Sequence, residues 1–401
     1  MTARAFVGIS CLCASLAGFA SCATASDKAA QAAQAAPEAA QVAPAPPVVL
    51  VAFEDSGQDL GRGAGRQALL GDVDGDGDID ALLCTSDAPS ALSLNDGKGR
   101  FSRSPQVFDP GTGAAMGDLD GDGHPDLFFT EGETDQVWLN DGKGSFTRSG
   151  PKLASSDSAA VALGDLDGDG DLDAFVATWS NQPDQVFLND GHGAFVDSGQ
   201  RLGTFSGSSV VLGDVDRDGD PDAVVSNNGE ESGNSTMLWL NDGKGNFTDS
   251  GRRLGPSNAS AVALGDLDGD GDLDAFIANS SHGGAPPADK VWLNDGHGVF
   301  SDSGQELGVL YSLSVTLGDF DGDGDLDAFT GSWRTAPRVW LNDGHGRFTD
   351  SGARLVSPNA SSEAVADLDG DGSRDLFVAA NTWAGGDGRA RLWFNRPVPR
   401  K

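Results

Sequence analysis

The sequence predicts an all-β protein, a seven-bladed β-propeller built from four-stranded antiparallel blades. Three observations carry that reading. The acidic signature D-x-D-x-D-G-x-x-D occurs seven times, starting at Asp72, Asp118, Asp165, Asp214, Asp266, Asp319 and Asp367, with successive copies 46 to 53 residues apart. A steady period in that range marks a repeat architecture. Each copy lies between two short apolar runs, and no segment sustains an apolar period of 3.6, so helix should be scarce. Finally, the phrase that ends most repeats also appears once ahead of the first repeat, which predicts a closed ring.

The third copy shows the unit. Ser158 to Gly164 (SAAVALG) reads as one strand, followed by the acidic loop Asp165 to Asp173. Ala174 to Thr178 is a second strand, and a variable stretch leads to a third at Gln185-Val186-Phe187-Leu188. Asn189-Asp190-Gly191 is a hairpin turn, because these residues tolerate positive φ. Ala194-Phe195-Val196 opens a fourth strand, which Ser198-Gly199 breaks. Short strands joined by tight turns make one antiparallel sheet.

The turn recurs at Asn95, Asn140, Asn241, Asn294 and Asn342, and a Phe follows each time. The seventh copy departs: after Trp393-Phe394-Asn395 the sequence ends within six residues, leaving no room for a fourth strand. Its counterpart stands at the front. Phe53-Glu54-Asp55-Ser56-Gly57 through Leu60 repeats the phrase seen at Phe195 through Leu202, with no turn before it. Residues 48–55 are therefore predicted to complete the blade begun by residues 361–395. Closure removes exposed sheet edges, whereas an open solenoid needs capping repeats. The propeller is assigned to residues 48–396.

Residues 1–22 read as an export signal: Arg4, a mostly apolar run from Ala5 to Ala20, then small residues. Two cleavage readings stay open. Ala23-Thr24-Ala25 fits ordinary cleavage, while Phe19-Ala20-Ser21-Cys22 resembles a bacterial lipobox that would lipidate Cys22, with Phe19 where that motif prefers Leu. The lipobox is the favoured reading. Residues 23–47, of Ala, Gln and Pro, form a disordered linker. Cys84 is then the only thiol in the folded part, so no disulfide stabilises it. The expected location is the outer membrane or cell surface as a lipoprotein, or else the periplasm or medium.

The net charge is -35, and the seven signatures hold 33 of the 61 acidic residues. Such a surface excludes nucleic acid, whose phosphates need Lys and Arg. It also excludes electrostatic docking on anionic lipid, leaving the N-terminal lipid as the one membrane contact.

The signature's residue types point to calcium, which takes six to eight hard oxygen ligands. Positions 1, 3, 5 and 9 of the loops supply them. The candidate ligands are Asp72, Asp74, Asp76 and Asp80; Asp118, Asp120, Asp122 and Asp126; Asp165, Asp167, Asp169 and Asp173; Asp214, Asp216, Asp218 and Asp222; Asp266, Asp268, Asp270 and Asp274; Asp319, Asp321, Asp323 and Asp327; and Asp367, Asp369, Asp371 and Asp375. Up to seven ions are expected. Position 6 is always Gly, allowing the sharp turn, and position 7 can offer a backbone carbonyl. Soft ligands are missing, which argues against zinc and copper, and magnesium disfavours crowded protein cages. An EF-hand would need Glu at position 12 and flanking helices; Leu83, Phe129, Val176 and Val225 stand at position 12 in the first four copies. A single copy would also suit a solvated acidic turn; seven intact copies favour metal.

Phrases such as Ala162-Leu163-Gly164-Asp165-Leu166-Asp167-Gly168-Asp169-Gly170 resemble the FG-GAP or VCBS repeat family, which builds the propeller of integrin α subunits and occurs in exported bacterial proteins. The resemblance covers the chain beyond the linker. It implies this fold and calcium binding, and says little about a partner.

The stretch between the second and third strands is the variable part of the repeat and should lie on the face opposite the acidic loops. Rigid scaffolds carry function on such loops. Trp179, Trp333 and Trp383 lie there without counterparts in other repeats; local packing competes with a role as anchors for a sugar ring or a protein. Trp138, Trp239, Trp292, Trp340 and Trp393 recur on the third strand and read as packing. His192, His297 and His345 occupy a turn position held elsewhere by Lys, and no nucleophile elbow, phosphate loop or zinc motif is present. No catalytic residue and no enzymatic activity is assigned. The expected function is a calcium-binding, exported or cell-surface module, a monomeric domain that binds or adheres to a protein or glycan. The alternative is an exported polysaccharide-acting enzyme, which a carboxylate unique to one blade and lining the funnel would favour; Glu230 and Glu231 are the nearest candidates.

Overall fold

The computed structural model describes residues 49–396 and 398–399, apart from residues 156, 229–234, 256–257, 281–286, 309, 358 and 383–385. The signal and linker of residues 1–47, with Cys22, lie outside the described residues, as do Trp383, Glu230 and Glu231. No helix occurs among the described residues.

Seven four-stranded antiparallel sheets follow one another around a ring. Numbering the blades by their acidic loops, the innermost strands are Gly65–Gly71, Gly113–Gly117, Ser158–Gly164, Gly207–Gly213, Ala259–Gly265, Ser312–Gly318 and Ala360–Ala366. Blade 3 continues through Asp173–Thr178, Gln185–Asn189 and Phe195–Asp197, the four strands that the sequence suggests. Strand order follows chain order in blades 1 to 6. This up-and-down order sets the faces. The acidic loops (first to second strand) and the Asn-Asp-Gly turns (third to fourth) share one face, and the variable loops (second to third) lie on the other.

The ring closes as predicted. Phe53–Asp55 is the outermost strand of blade 7, with Phe53 opposite Asn395, Glu54 opposite Phe394 and Asp55 opposite Trp393. One detail differs from the expectation of a continuous strand over residues 48–55. Val49–Leu50 leaves that sheet and pairs with Val398–Pro399. The N-terminal segment thus grips the chain end twice.

The core is divided among the seven interfaces between blades. One apolar cluster joins blades 1 and 2 through Leu82, Leu92, Phe108, Phe129 and Trp138. Another joins blades 7 and 1 through Leu83, Ala91, Phe377 and Leu392. The second strand of every blade is buried on both faces, because a neighbouring blade covers each. That explains its continuous apolar run where a half-solvated strand would alternate. Trp138, Trp239, Trp340 and Trp393 are buried in these clusters, and Trp292 packs against one. The single described thiol, Cys84, is buried and unpaired.

Candidate metal centres and the opposite loop face

Each acidic loop is wound around its own first Asp. In blade 1, Asp72 accepts the Gly75 N–H at 2.8 Å through Oδ1 and the Gly77 N–H at 3.0 Å through Oδ2. Those two glycines sit at φ of 76° and 95°, the left-handed region that a side chain disfavours. Asp76 accepts the Asp78 N–H at 3.0 Å. Loops 2, 3, 5, 6 and 7 repeat the pair of bonds to the first Asp. Loop 4 has Arg217 in place of the first glycine, at a φ of 62°.

The carboxylates converge. Oxygens of Asp72, Asp74 and Asp80 lie within 4.8 Å of one another, as do those of Asp165, Asp167 and Asp173 and of Asp266, Asp268 and Asp274. In loops 2 and 4 the converging sets are Asp118, Asp120 and Asp122, and Asp214, Asp216 and Asp218. The donors are hard oxygens throughout, and Asp74 Oδ1 is buried with no hydrogen-bond partner. Burial, then the Asp76 charge, raises the pKa of Asp74 above the usual carboxylate range. Asp120, Asp167, Asp216 and Asp268 are raised in the same way, and Asp321 to about 6. Clustered carboxylates with an unsatisfied oxygen suit a hard divalent cation, so the residues present fit the calcium that the repeat implies.

The Asp at position 9 has a second role that the sequence reading missed. It is buried, and each of its oxygens accepts a backbone N–H: Asp80 Oδ2 from Val73 at 3.0 Å and Oδ1 from Asn95 at 2.8 Å. Asp126, Asp173, Asp222, Asp274, Asp327 and Asp375 make the same two bonds. Desolvation outweighs those bonds and pushes Asp80 up to about 7 and Asp327 to about 8.

The turn Asn was also undervalued as a hairpin marker. Its side-chain amide crosses to the preceding blade and donates to the carbonyl at position 2 of that blade's acidic loop. Asn140 reaches Val73 O at 2.8 Å, Asn241 reaches Leu166 O at 2.9 Å, and Asn95 closes the circle on Leu368 O at 2.9 Å. All seven blades carry this clamp. Its sequence signal was the invariance of Asn where Asp or Gly would also turn the chain.

On the opposite face, Trp179 is 37% exposed, and the Arg66 guanidinium from blade 1 lies 5.3 Å from its ring centroid. Trp333 is covered by Arg334 at 3.9 Å and meets Tyr311 edge-on with centroids 5.7 Å apart. The two tryptophans therefore belong to separate aromatic–arginine groupings. Glu363 is the carboxylate where the other blades have Ala or Val on the innermost strand. It is buried between blades 6 and 7, accepting a 2.7 Å bond from Ser314.

Six stretches, residues 72–129, 118–176, 165–225, 223–277, 266–330 and 319–378, match the family model described as FG-GAP-like repeat. The chain belongs to the FG-GAP-like repeat family. No curated protein matches it. Among solved structures, this FG-GAP propeller is similar to BBS1N, seen in complex with ARL6DN, at 10% identity over 88% of this chain and 99% of that one, with a TM-score of 0.56. It is also similar to the Neurospora crassa Pan2 WD40 domain, at 12% identity over 84% and 90% of the two chains, with a TM-score of 0.51. At such identities the likeness shows the fold alone.

Proposed function

We propose that this FG-GAP propeller is a calcium-stabilised binding module, exported to the cell surface or beyond, that presents its variable-loop face to a protein or glycan. The observation that carries the metal half is the convergence of three carboxylates in loop after loop, with Asp74 Oδ1 of loop 1 buried and without a protein partner. A bound calcium ion supplies the positive charge those oxygens lack, while Asp72, Asp74, Asp76 and Asp80 and their counterparts hold it. The binding half rests on Trp179, an exposed aromatic beside a guanidinium on the face free of acidic loops. Aromatic and Arg side chains dominate recognition energetics, and the fold neighbour BBS1N is itself seen with a protein partner.

The enzymatic alternative asked for a unique carboxylate lining the funnel. Glu363 is unique, but it is buried against Ser314, so that reading gains no support from it. The test is a glycan array, paired with binding to intact cells, for wild type and for Trp179→Ala and Trp333→Ala, with and without calcium. Calcium-dependent binding that either substitution weakens at least tenfold supports the proposal; binding untouched by both, or by chelation, overturns it. Mass spectrometry of the mature N-terminus decides whether Cys22 carries the lipid.

A further inference from the structure

The seventh acidic loop differs from the other six. After its turn Asn, the sequence reads Asn395-Arg396, where the other blades have Asp96, Asp141, Asp190, Asp242, Asp295 and Asp343. In those six blades the Asp belongs to a hairpin. In blades 1 to 3, for example, its backbone N–H bonds across the turn, as Asp96 does to Arg100 O at 3.1 Å. Blade 7 has no hairpin, because its outer strand arrives from the front of the chain. The Arg396 N–H donates instead to Ala52 O at 2.7 Å, on that arriving segment. Its side chain is freed from turn duty, and the guanidinium folds over Phe394, 5.0 Å from the ring centroid. From there Nη2 pairs with Asp369 Oδ2 and Nη1 with Asp371 Oδ2, the third and fifth positions of loop 7. The other oxygens of both residues already accept backbone N–H bonds, Asp369 Oδ1 from Asp371 at 3.3 Å and Asp371 Oδ1 from Ser373 at 2.8 Å. Among the described ion pairs, no other loop has its third and fifth carboxylates bridged by a cation; Arg217 reaches only Asp272, at position 7 of loop 5.

We propose that Arg396 is the resident cation of loop 7, competing with calcium for Asp369 and Asp371 and tying that loop to the ring-closing segment. This rests on calcium binding at the loops. A metal ion entering loop 7 must displace two charge-assisted bonds, of a kind roughly twice as strong as neutral ones. In loops 1 to 6 no described cation bridges the third and fifth carboxylates, and the one arginine nearby, Arg217, reaches only position 7 of loop 5. Loop 7 is also among the least acidic, with Ser373 where five other loops carry a fifth Asp. Six loops thus depend on calcium, and the one at the junction of the chain ends keeps a counter-charge without it. Closure is then held even when calcium is scarce.

The test counts ions by native mass spectrometry of the full chain across buffered free calcium, for wild type, Arg396→Gln, Arg396→Lys and the double variant Arg396→Gln/Asp369→Asn. Wild type should fill six sites, with a seventh at least tenfold weaker. Arg396→Gln should bring the seventh into line with the rest, the double variant should lose it again, and Lys, which keeps charge without the planar fork, should fall between. Seven equivalent sites in wild type, or an unchanged count in Arg396→Gln, overturn the proposal. Hydrogen exchange in chelator supplies the second arm: Arg396→Gln should speed exchange in Phe53–Asp55 at least tenfold and leave blade 4 unchanged, and equal rates would refute the latch. No ions in any variant would sink the calcium reading, while the exchange arm would still decide whether Arg396 holds the closure.

Discussion

Asn241→Ala tests whether the turn Asn clamps neighbouring blades. The side-chain amide donates to Leu166 O at 2.9 Å on blade 3 and to Pro221 O at 3.2 Å on its own blade. Alanine keeps the turn's backbone bond to Asp222 and removes both amide bonds. Each is worth about 1 kcal/mol net, and a buried carbonyl left without a partner costs a further 1–3 kcal/mol or so. Leu166 O retains the Gly245 N–H at 2.7 Å, and Pro221 O, in a half-buried bond, bears a penalty at the low end of that range. Removing Asn241 Oδ1, which is buried without a partner, returns part of it. The balance is a loss of about 2–3 kcal/mol, read by urea denaturation in saturating calcium and by a melting temperature lower by about 3–4 °C. Asn246→Ala on the same turn is the control, since its amide bonds only the exposed Asp242; it should stay within about 0.5 kcal/mol. A loss below about 0.5 kcal/mol for Asn241→Ala would refute the clamp and reduce the turn Asn to a φ requirement.

Chelation should lower the melting temperature, because each loop filled at calcium 100-fold above its Kd adds about 2.7 kcal/mol; an unchanged melt with and without chelator would remove calcium from the account. The metal-free protein should lose stability as pH rises. Glu363 is pushed by burial up to about 8 and Asp184 and Asp289 up to about 7, all above their unfolded values, so the stability they confer is complete below about pH 4 and is lost as pH climbs through 7 to 8. Glu363→Gln should flatten that slope by up to roughly 4 kcal/mol between pH 5 and 8, at about 1.4 kcal/mol per tenfold change in proton affinity; a slope identical to wild type in urea titrations would refute the assignment. Deleting residues 49–55 should open blade 7, exposing Arg391–Asn395 as a free edge, and size-exclusion chromatography should then show self-association. A monomer with wild-type stability would disprove the closure.

Fold, blade number and closing strand were legible because each depends on local chemistry repeated many times. Asp at odd positions, a turn at Asn-Asp-Gly and Phe after it recur in register, so chance resemblance at one copy is averaged away. The closing strand was readable from Phe53-Glu54-Asp55-Ser56-Gly57, a phrase whose usual turn was missing. What stayed hidden depends on neighbours in space. Asn241 is 75 residues from Leu166, and the blade stacking that brings them together leaves only the invariance of the turn Asn as its mark, with nothing to name the partner. Glu363 stands where the other inner strands have Ala or Val, and the sequence reading passed over it. Only the packed structure shows that Ser314 and the missing side chain of Gly331 make its niche: a Cβ on Gly331 would come within 3.0 Å of Glu363 Oε2. Arg396 was readable as a break in the Asn-Asp-Gly pattern, but its target on loop 7 required the ring.

The two faces of the propeller are linked through the second strand of each blade. That strand starts at the position 9 Asp and ends at the variable loop; in blade 3 it is six residues long, opened by Asp173 and closed by Thr178. At its start, Asp173 is bonded to Leu166 and Asn189; at its end, the Thr178 N–H bonds Asp184 at 2.9 Å. Trp179 is the next residue, and its own N–H is held by Asp157 O at 2.9 Å. An ion that neutralises Asp165, Asp167 and Asp173 therefore braces one end of a strand whose other end carries the exposed tryptophan. The strand is buried on both faces and cannot slide without disturbing two cores. Calcium on one face should consequently narrow the motion of the loops on the other without touching a ligand. In this scaffold metal would then raise affinity by ordering the loops before binding, and affinity would vary with calcium even for an uncharged partner.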